Sequence, residues 1–219
     1  MIFISKRIRK QDRIHMAREQ ATRPIKDLKQ EMRFIRYLEQ RDKRVYIFYC
    51  ITRIGAFRCS EVLEMTAGDL KQALKKHKFE INERKTRYDR CVPIVGTRTM
   101  KILEAYIKDM YDKDVLFPSR NGNNQPLSYK QMHRLLSGYG KDCGLERVGT
   151  HTGRKTAGYH FYMNNGKNIR ELMRFLGHAN EAESYSYADV WEESQEERVR
   201  MTSNPLEEAD YYSAYYDAI

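Results

Sequence analysis

Acidic residues are in short supply in this chain. Its 30 Asp and Glu face 40 Lys and Arg, a formal net charge of +10 over 219 residues. That deficit disfavours a cationic partner and favours a polyanion, of which nucleic acid is the common one. Cysteine is scarce too. Cys50, Cys59, Cys91 and Cys143 form no Cys-x-x-Cys pair and show no zinc spacing, which argues against a zinc motif and for reduced thiols in a cytosolic protein. No apolar run approaches the ~18–20 residues needed to cross a bilayer. The opening segment, from Met1 to Lys6, is too short for a secretory signal. No internal repeat and no phosphate-cradling glycine loop is present. These absences leave a cytoplasmic, basic protein with no membrane partner: one domain, or a small domain with appendages, large enough to bury a proper core.

Regular elements fill most of the chain. The first 22 residues are rich in Lys and Arg, including Lys6, Arg7, Arg9 and Lys10, with few apolar positions to hide. They read as a polar helix or arm, either gripping a polyanion or simply solvated. From Pro24 the apolar residues Ile25, Leu28, Met32, Ile35 and Leu38 recur at three- and four-residue steps, predicting a helix with one buried stripe. Tyr46 to Ile51 is apolar almost all round, as a central core helix is. Arg58 then falls on a turn between two helices, with Gly55 giving the turn, Ser60 capping the second helix and Glu61 one helical turn from Arg58. Alternation around Phe79 and Ile81, and a second run from Arg90 to Val95 with Pro93 marking an edge, predict two short strands. Their connecting tip carries Arg84, Lys85 and Arg87.

Further helices are expected at 97–112, with Met100, Leu103, Ile107 and Met110 or Tyr111 inward, and at 127–137, stopped by Gly138 or Gly140. Others follow Gly149, run up to Gly177, and surround Tyr187. The segment 191–201 is highly charged and reads as helix. The tail 203–219 reverses the character of the chain, with Glu207, Glu208, Asp210 and Asp217 against no cation and with paired tyrosines. The fold class is mostly α (α+β), helical with a small antiparallel sheet. The boundaries are a basic arm at 1–22, a catalytic domain at 23–202 and an acidic tail at 203–219.

Residues 150–190 carry the chemistry. His151 and Arg154 stand three apart, on one helical face. His178 follows a Leu-Gly break, and Tyr187 lies nine positions beyond it. Arg suits a forked grip on phosphate oxygens, His carries protons near neutral pH, and a phenol in reach of both can act as a nucleophile. A phenol with a pKa of about 10 is ~0.1% ionised at pH 7, a gap worth about 4 kcal/mol that nearby cations and a base can close. Tyr185 and Tyr187 differ by about 200° on a helix, so only one can face a given phosphate, and geometry alone does not choose.

This order of clusters resembles the catalytic domain of the tyrosine recombinase (phage integrase) family. The likeness includes Gly55-x-x-Arg58-x-x-Glu61, the Leu116-Phe-Pro-Ser119 segment and a hairpin Lys-Thr at Lys85, and it covers roughly Arg23 to Asp189. The family's usual form places Gly two positions before the first Arg, where Ala56 stands here. An apolar residue is usual where Gly153 stands, so Gly153 is expected to cost helix packing.

The resemblance implies an enzyme that cleaves and rejoins DNA through a 3′-phosphotyrosyl link, with no metal and no cofactor. Arg58 and Arg154 would clamp the non-bridging oxygens and Lys85 would protonate the leaving oxygen. His151 would act as general base or acid, and His178 would bond the phosphate. Glu61 and Lys155 would stand behind them, Glu61 orienting Arg58. Family spacing from His178 selects Tyr187 as nucleophile. Double-stranded DNA is the implied partner, with a tetramer in the synaptic complex and a monomer when free. Arg84 and Arg87, with the N-terminal cations, are expected on the DNA. Two alternatives remain: a type IB topoisomerase-like nicking-closing enzyme, and a DNA-binding regulator that has lost catalysis.

Overall fold

Short polar residues punctuate the apolar segments and set where most of the helices start. The structure, a computed structural model, describes residues 21–82, 89–120 and 122–190. Lys6, Arg7, Arg9, Lys10, Arg84, Lys85, Arg87, the charged segment 191–201 and the acidic tail lie outside the described residues. Asp27 accepts from the Gln30 amide at 2.7 Å and opens α1 (Leu28–Arg41). Asp42 ends α1 and caps the next helix, accepting from the Arg44 amide at 3.1 Å. That helix, α2 (Lys43–Gly55), is the core helix expected, with Val45, Ile47, Phe48, Tyr49 and Ile51 buried. Then come α3 (Cys59–Leu63) and α4 (Ala67–Lys76), the latter opened by a reciprocal Thr66–Asp69 cap.

Strands β1 (Lys78–Asn82) and β2 (Asp89–Pro93) pair antiparallel, with Phe79 opposite Val92. Both of these side chains are buried on the main core. The remaining helices are α5 (Thr97–Ile107), α6 (Tyr129–Asp142), α7 (Thr152–Asn164), α8 (Ile169–Leu176) and α9 (Glu181–Ala188). A large apolar core surrounds α2. A smaller one joins Ala56, Ala157, Tyr162, Leu172, Leu176, Tyr185, Ala188 and Val190, so the last three helices share a core of their own.

Several expectations need correction. On α1 the inward face is Glu31, Phe34 and Leu38, while Leu28 and Met32 are exposed. The face is set by Glu31, which accepts from the Tyr49 hydroxyl at 3.0 Å and Arg53 Nε at 2.7 Å. A buried carboxylate with two donors outranks the more obvious apolar stripe. Helix α5 ends at Ile107 and leaves Tyr111 exposed. Helix α6 runs through Gly138 and Gly140. A Cβ at Gly140 would sit 2.6 Å from Val148 Cβ, so that glycine serves packing, and the left-handed Gly144 follows the helix end.

Ser60 is not the cap of α3. Arg58 is, and Glu61 reaches back to the Arg58 amide at 2.6 Å. The left-handed residue of the preceding turn is Ala56, at φ 49°, and not Gly55. Position 56 is where the family's usual glycine would fall. Gly153 does not loosen packing but permits it: α2 lies along α7, and a Cβ there would collide with Thr52 Oγ1 and lie 3.2 Å from the Tyr49 carbonyl oxygen.

Candidate active site

The described side chains that the sequence singled out lie at or near element ends. Arg58 caps α3, and its guanidinium donates to Glu61 Oε1 at 3.0 Å, so one carboxylate fixes both its backbone and its side chain. His151 sits at the N-cap of α7. Arg154, one turn on, is 1% exposed and donates to the carbonyls of Ala56 and Leu176. Those carbonyls lie just beyond α2 and at the last residue of α8, where unpaired helix-end oxygens and dipole ends favour a cation. Burial pulls the Arg154 pKa below its ordinary value, with Arg58 acting in the same direction. His178 follows the left-handed Gly177 that ends α8; its Nδ1 lies 3.2 Å from Ser184 Oγ and its Nε2 3.7 Å from Glu183 Oε1.

Tyr187 on α9 is where these groups meet. His151 Nδ1 lies 3.1 Å from its hydroxyl. The Arg154 guanidinium and the Lys155 ammonium stand 5.5 Å and 5.1 Å from its ring centroid, and the His178 ring meets it edge-on at 5.1 Å. Tyr185, on the same helix, is buried in the smaller core against Tyr162. The structure therefore brings Arg58, Glu61, His151, Arg154, Lys155, His178 and Tyr187 together, and it turns Tyr185 away.

Burial governs the protons here. It pushes the Tyr187 phenol up to about 12, against the opposing pull of Arg154 and Arg58. It also lowers the His151 pKa, helped by Arg154, Lys155 and His133. The imidazole is thus biased neutral, and with Nδ1 unprotonated the phenol donates to it. The ionisation gap at pH 7 becomes about five units, or ~7 kcal/mol, rather than the ~4 of a solvated phenol.

Sequence reasoning missed an aromatic flank. Tyr129, half exposed at the start of α6, stacks on His133 at 6.0 Å, and its ring lies 6.1 Å from His151. The four-residue spacing of Tyr129 and His133 was the available signal, but nothing in it pointed to His151. Among the described residues no group of His, Cys, Asp and Glu is placed to hold a metal, and no helix is long and apolar enough to cross a membrane.

Solved structures share this arrangement of helices. The XerA recombinase superposes with a TM-score of 0.63 at 23% identity, over 84% of this chain and 67% of that one. The Tn1549 transposon integrase, solved with circular intermediate DNA, gives a TM-score of 0.60 at 17% identity, over 81% and 65%. The fold is that of tyrosine recombinase catalytic domains. At the level of sequence, the model of the phage integrase family matches residues 5–194, and the chain belongs to that family. The probable integrase/recombinase YoeC of Bacillus subtilis (strain 168) is 34% identical over 171 residues, which is 78% of this chain and 91% of YoeC. The tyrosine recombinase XerC of Thermodesulfovibrio yellowstonii is 31% identical over 169 residues, 71% of this chain but 52% of XerC. The chain thus spans about half the length of that relative.

Proposed function

We propose that this protein is a site-specific DNA recombinase that cuts and rejoins duplex DNA through a 3′-phosphotyrosyl intermediate on Tyr187. The observation that carries the reading is the convergence on one phenol of a neutral-biased imidazole at 3.1 Å and two guanidinium groups. Arg58 and Arg154 hold the non-bridging oxygens of the scissile phosphate, and His151 takes the Tyr187 proton as the oxygen attacks phosphorus in line. His178 donates to the phosphate. Lys85, which follows β1 and precedes β2 in the sequence, protonates the leaving 5′-oxygen. Glu61 orients Arg58.

No step requires a metal or a cofactor. The partner is duplex DNA. The protein works in the cytoplasm as a tetramer in the synaptic complex and a monomer when free. Lys6, Arg7, Arg9, Lys10, Arg84 and Arg87 contact phosphates without reading sequence. Residues 1–22 form a DNA-gripping arm, 23–202 the catalytic domain, and 203–219 a separate acidic tail.

The test is a nicked suicide duplex carrying a proven binding site, which traps the covalent adduct. Adduct from the parent and none from Tyr187→Phe, with DNA binding nearly intact, is the expected result. Adduct that survives Tyr187→Phe but not Tyr185→Phe would move the nucleophile. Absence of any adduct would favour a regulator, and relaxation of supercoils without recombinants a nicking-closing enzyme.

A further inference from the structure

The nucleophile's helix ends on a residue that the reaction just described does not use. Asp189 caps α9 in the left-handed conformation, φ 57°, two positions beyond Tyr187. A non-glycine residue there is uncommon, and Asp is among the few side chains that tolerate it. Its carboxylate faces cations from a segment more than 160 positions earlier: Lys26 Nζ at 3.7 Å and Arg23 Nε at 4.0 Å. Arg23, Lys26 and Asp189 line one cleft of about 390 Å³, together with Asp27 and Glu146.

The early segment is itself anchored. The Arg23 amide donates to the Arg147 carbonyl at 3.0 Å, and the Ile25 amide donates to Thr156 Oγ1 on α7 at 2.9 Å. Lys26 also lies over the Tyr159 ring at 5.1 Å. Asp189 reaches a third cation as well: its charge supports Lys155, whose ammonium is otherwise pulled down by burial and by Arg147 and Arg23. Lys155 is the ammonium standing over the Tyr187 ring. Asp189 is therefore tied to Tyr187 through the helix it ends, and its charge acts on the cation that stands over that ring.

From this we infer that Asp189 is a positioning residue, clasping the end of the Tyr187 helix to the basic segment at Arg23 and Lys26. The inference rests on the reading of Tyr187 as nucleophile. The clasp sets the phenol's place over Arg154 and hands its position to the part of the chain that leads into the N-terminal arm. A phosphate that draws Arg23 and Lys26 away competes with Asp189 for them, so DNA engagement and nucleophile placement are linked.

Charge removal tests the clasp. Asp189→Asn, which suits the left-handed cap, and Lys26→Met should each slow adduct formation on saturating suicide duplex by a few-fold, about fivefold at most, in line with one partly exposed ion pair. The double variant should be no more than about twofold slower than Asp189→Asn alone, a non-additivity that independent structural roles would not give. Asp189→Asn reacting at the parent's rate, or fully multiplicative losses in the double variant, overturns the inference.

Amide hydrogen exchange on the DNA-free protein separates failure of the clasp from failure of the functional reading. In Asp189→Asn, the amides of Arg23, Ile25 and Val190 should exchange faster together. If the parent forms no adduct yet these amides respond together, the recombinase reading falls and the clasp stands. If they do not respond, the clasp falls whatever the adduct shows.

Discussion

Replacing Gly153 with alanine sets two physical effects against each other. Helix propensity alone favours Gly153→Ala by about 1 kcal/mol in a helix interior. The site opposes it, because the new Cβ collides with Thr52 Oγ1 and stands 3.2 Å from both Thr52 Cβ and the Tyr49 carbonyl oxygen. Thr52 is fully buried and its hydroxyl donates to that carbonyl at 2.9 Å, so it cannot swing away without losing a buried hydrogen bond. Overpacking costs about 1–3 kcal/mol and the bond about 1 more. The net expectation is a loss of roughly 1–3 kcal/mol, or a fall of about 3–10 °C in Tm for a chain of this size. Urea and thermal unfolding measure it directly. Adding Thr52→Ala removes the obstructing oxygen, so the double variant should lose less than the two single losses combined, by at least ~0.5 kcal/mol. A Gly153→Ala protein as stable as the parent, or strictly additive losses, would refute the packing argument.

Other expectations follow from the same geometry. Arg154→Met keeps bulk but strands the Ala56 and Leu176 carbonyls, and should cost about 2–4 kcal/mol in denaturant unfolding; a neutral result would mean the carbonyls find other donors. Glu31→Ala leaves Tyr49 and Arg53 without their shared acceptor and should cost about 2–4 kcal/mol by the same measurement. His151 and His160 are both held below their ordinary pKa, chiefly by burial. The unfolded chain thus binds their protons more readily, so stability should be full above pH ~6.5 and fall as pH drops below it. His160→Gln should flatten part of that fall, and an unchanged slope in Tm against pH would exclude His160. Under the proposed mechanism neutral His151 is the active form. The rate of adduct formation should therefore rise with pH through a midpoint below 6.5 and then level, and a midpoint above 6.5 would contradict the buried imidazole.

Much of this fold was legible in periodicity and punctuation. The all-round apolar run of α2, the strand alternation about Phe79, and the stripe that Gly177 closes all correspond to elements in place. What stayed hidden was tertiary. Leu28 and Met32 looked like an inward stripe because propensity and spacing cannot foresee that Glu31 will find two donors on α2. Gly140 looked like a stop because a glycine that admits a neighbour's side chain has the same one-letter signature as a glycine that ends a helix, and Gly138, whose Cβ would meet only open space, sits within the same helix.

The site divides along the same line. Order and spacing, read through the family resemblance, offered Arg58, His151, Arg154, His178 and Tyr187 as a set and preferred Tyr187, and in the fold it is Tyr187 that lies against His151 while Tyr185 is buried in the smaller core. No local pattern could show that Tyr129 would flank His151 or that Arg23 would meet Asp189. Those pairs are separated by tens to hundreds of positions, and their proximity is a product of the whole topology.

Arg154 has a consequence for how such a chain can diverge. Its guanidinium is shared between the floor of the site and the carbonyls that finish α2 and α8. If strand cleavage is the activity, a lineage that no longer needed it could replace Tyr187 with phenylalanine at modest structural expense, because the ring would still pack on the smaller core and only the bond to His151 would go. It could not discard Arg154 as freely, since two helix ends would lose their donor. Descendants that keep this arginine while losing the tyrosine are therefore the form in which inactivity would accumulate, and retention of the arginine alone would be poor testimony that a relative still cuts DNA.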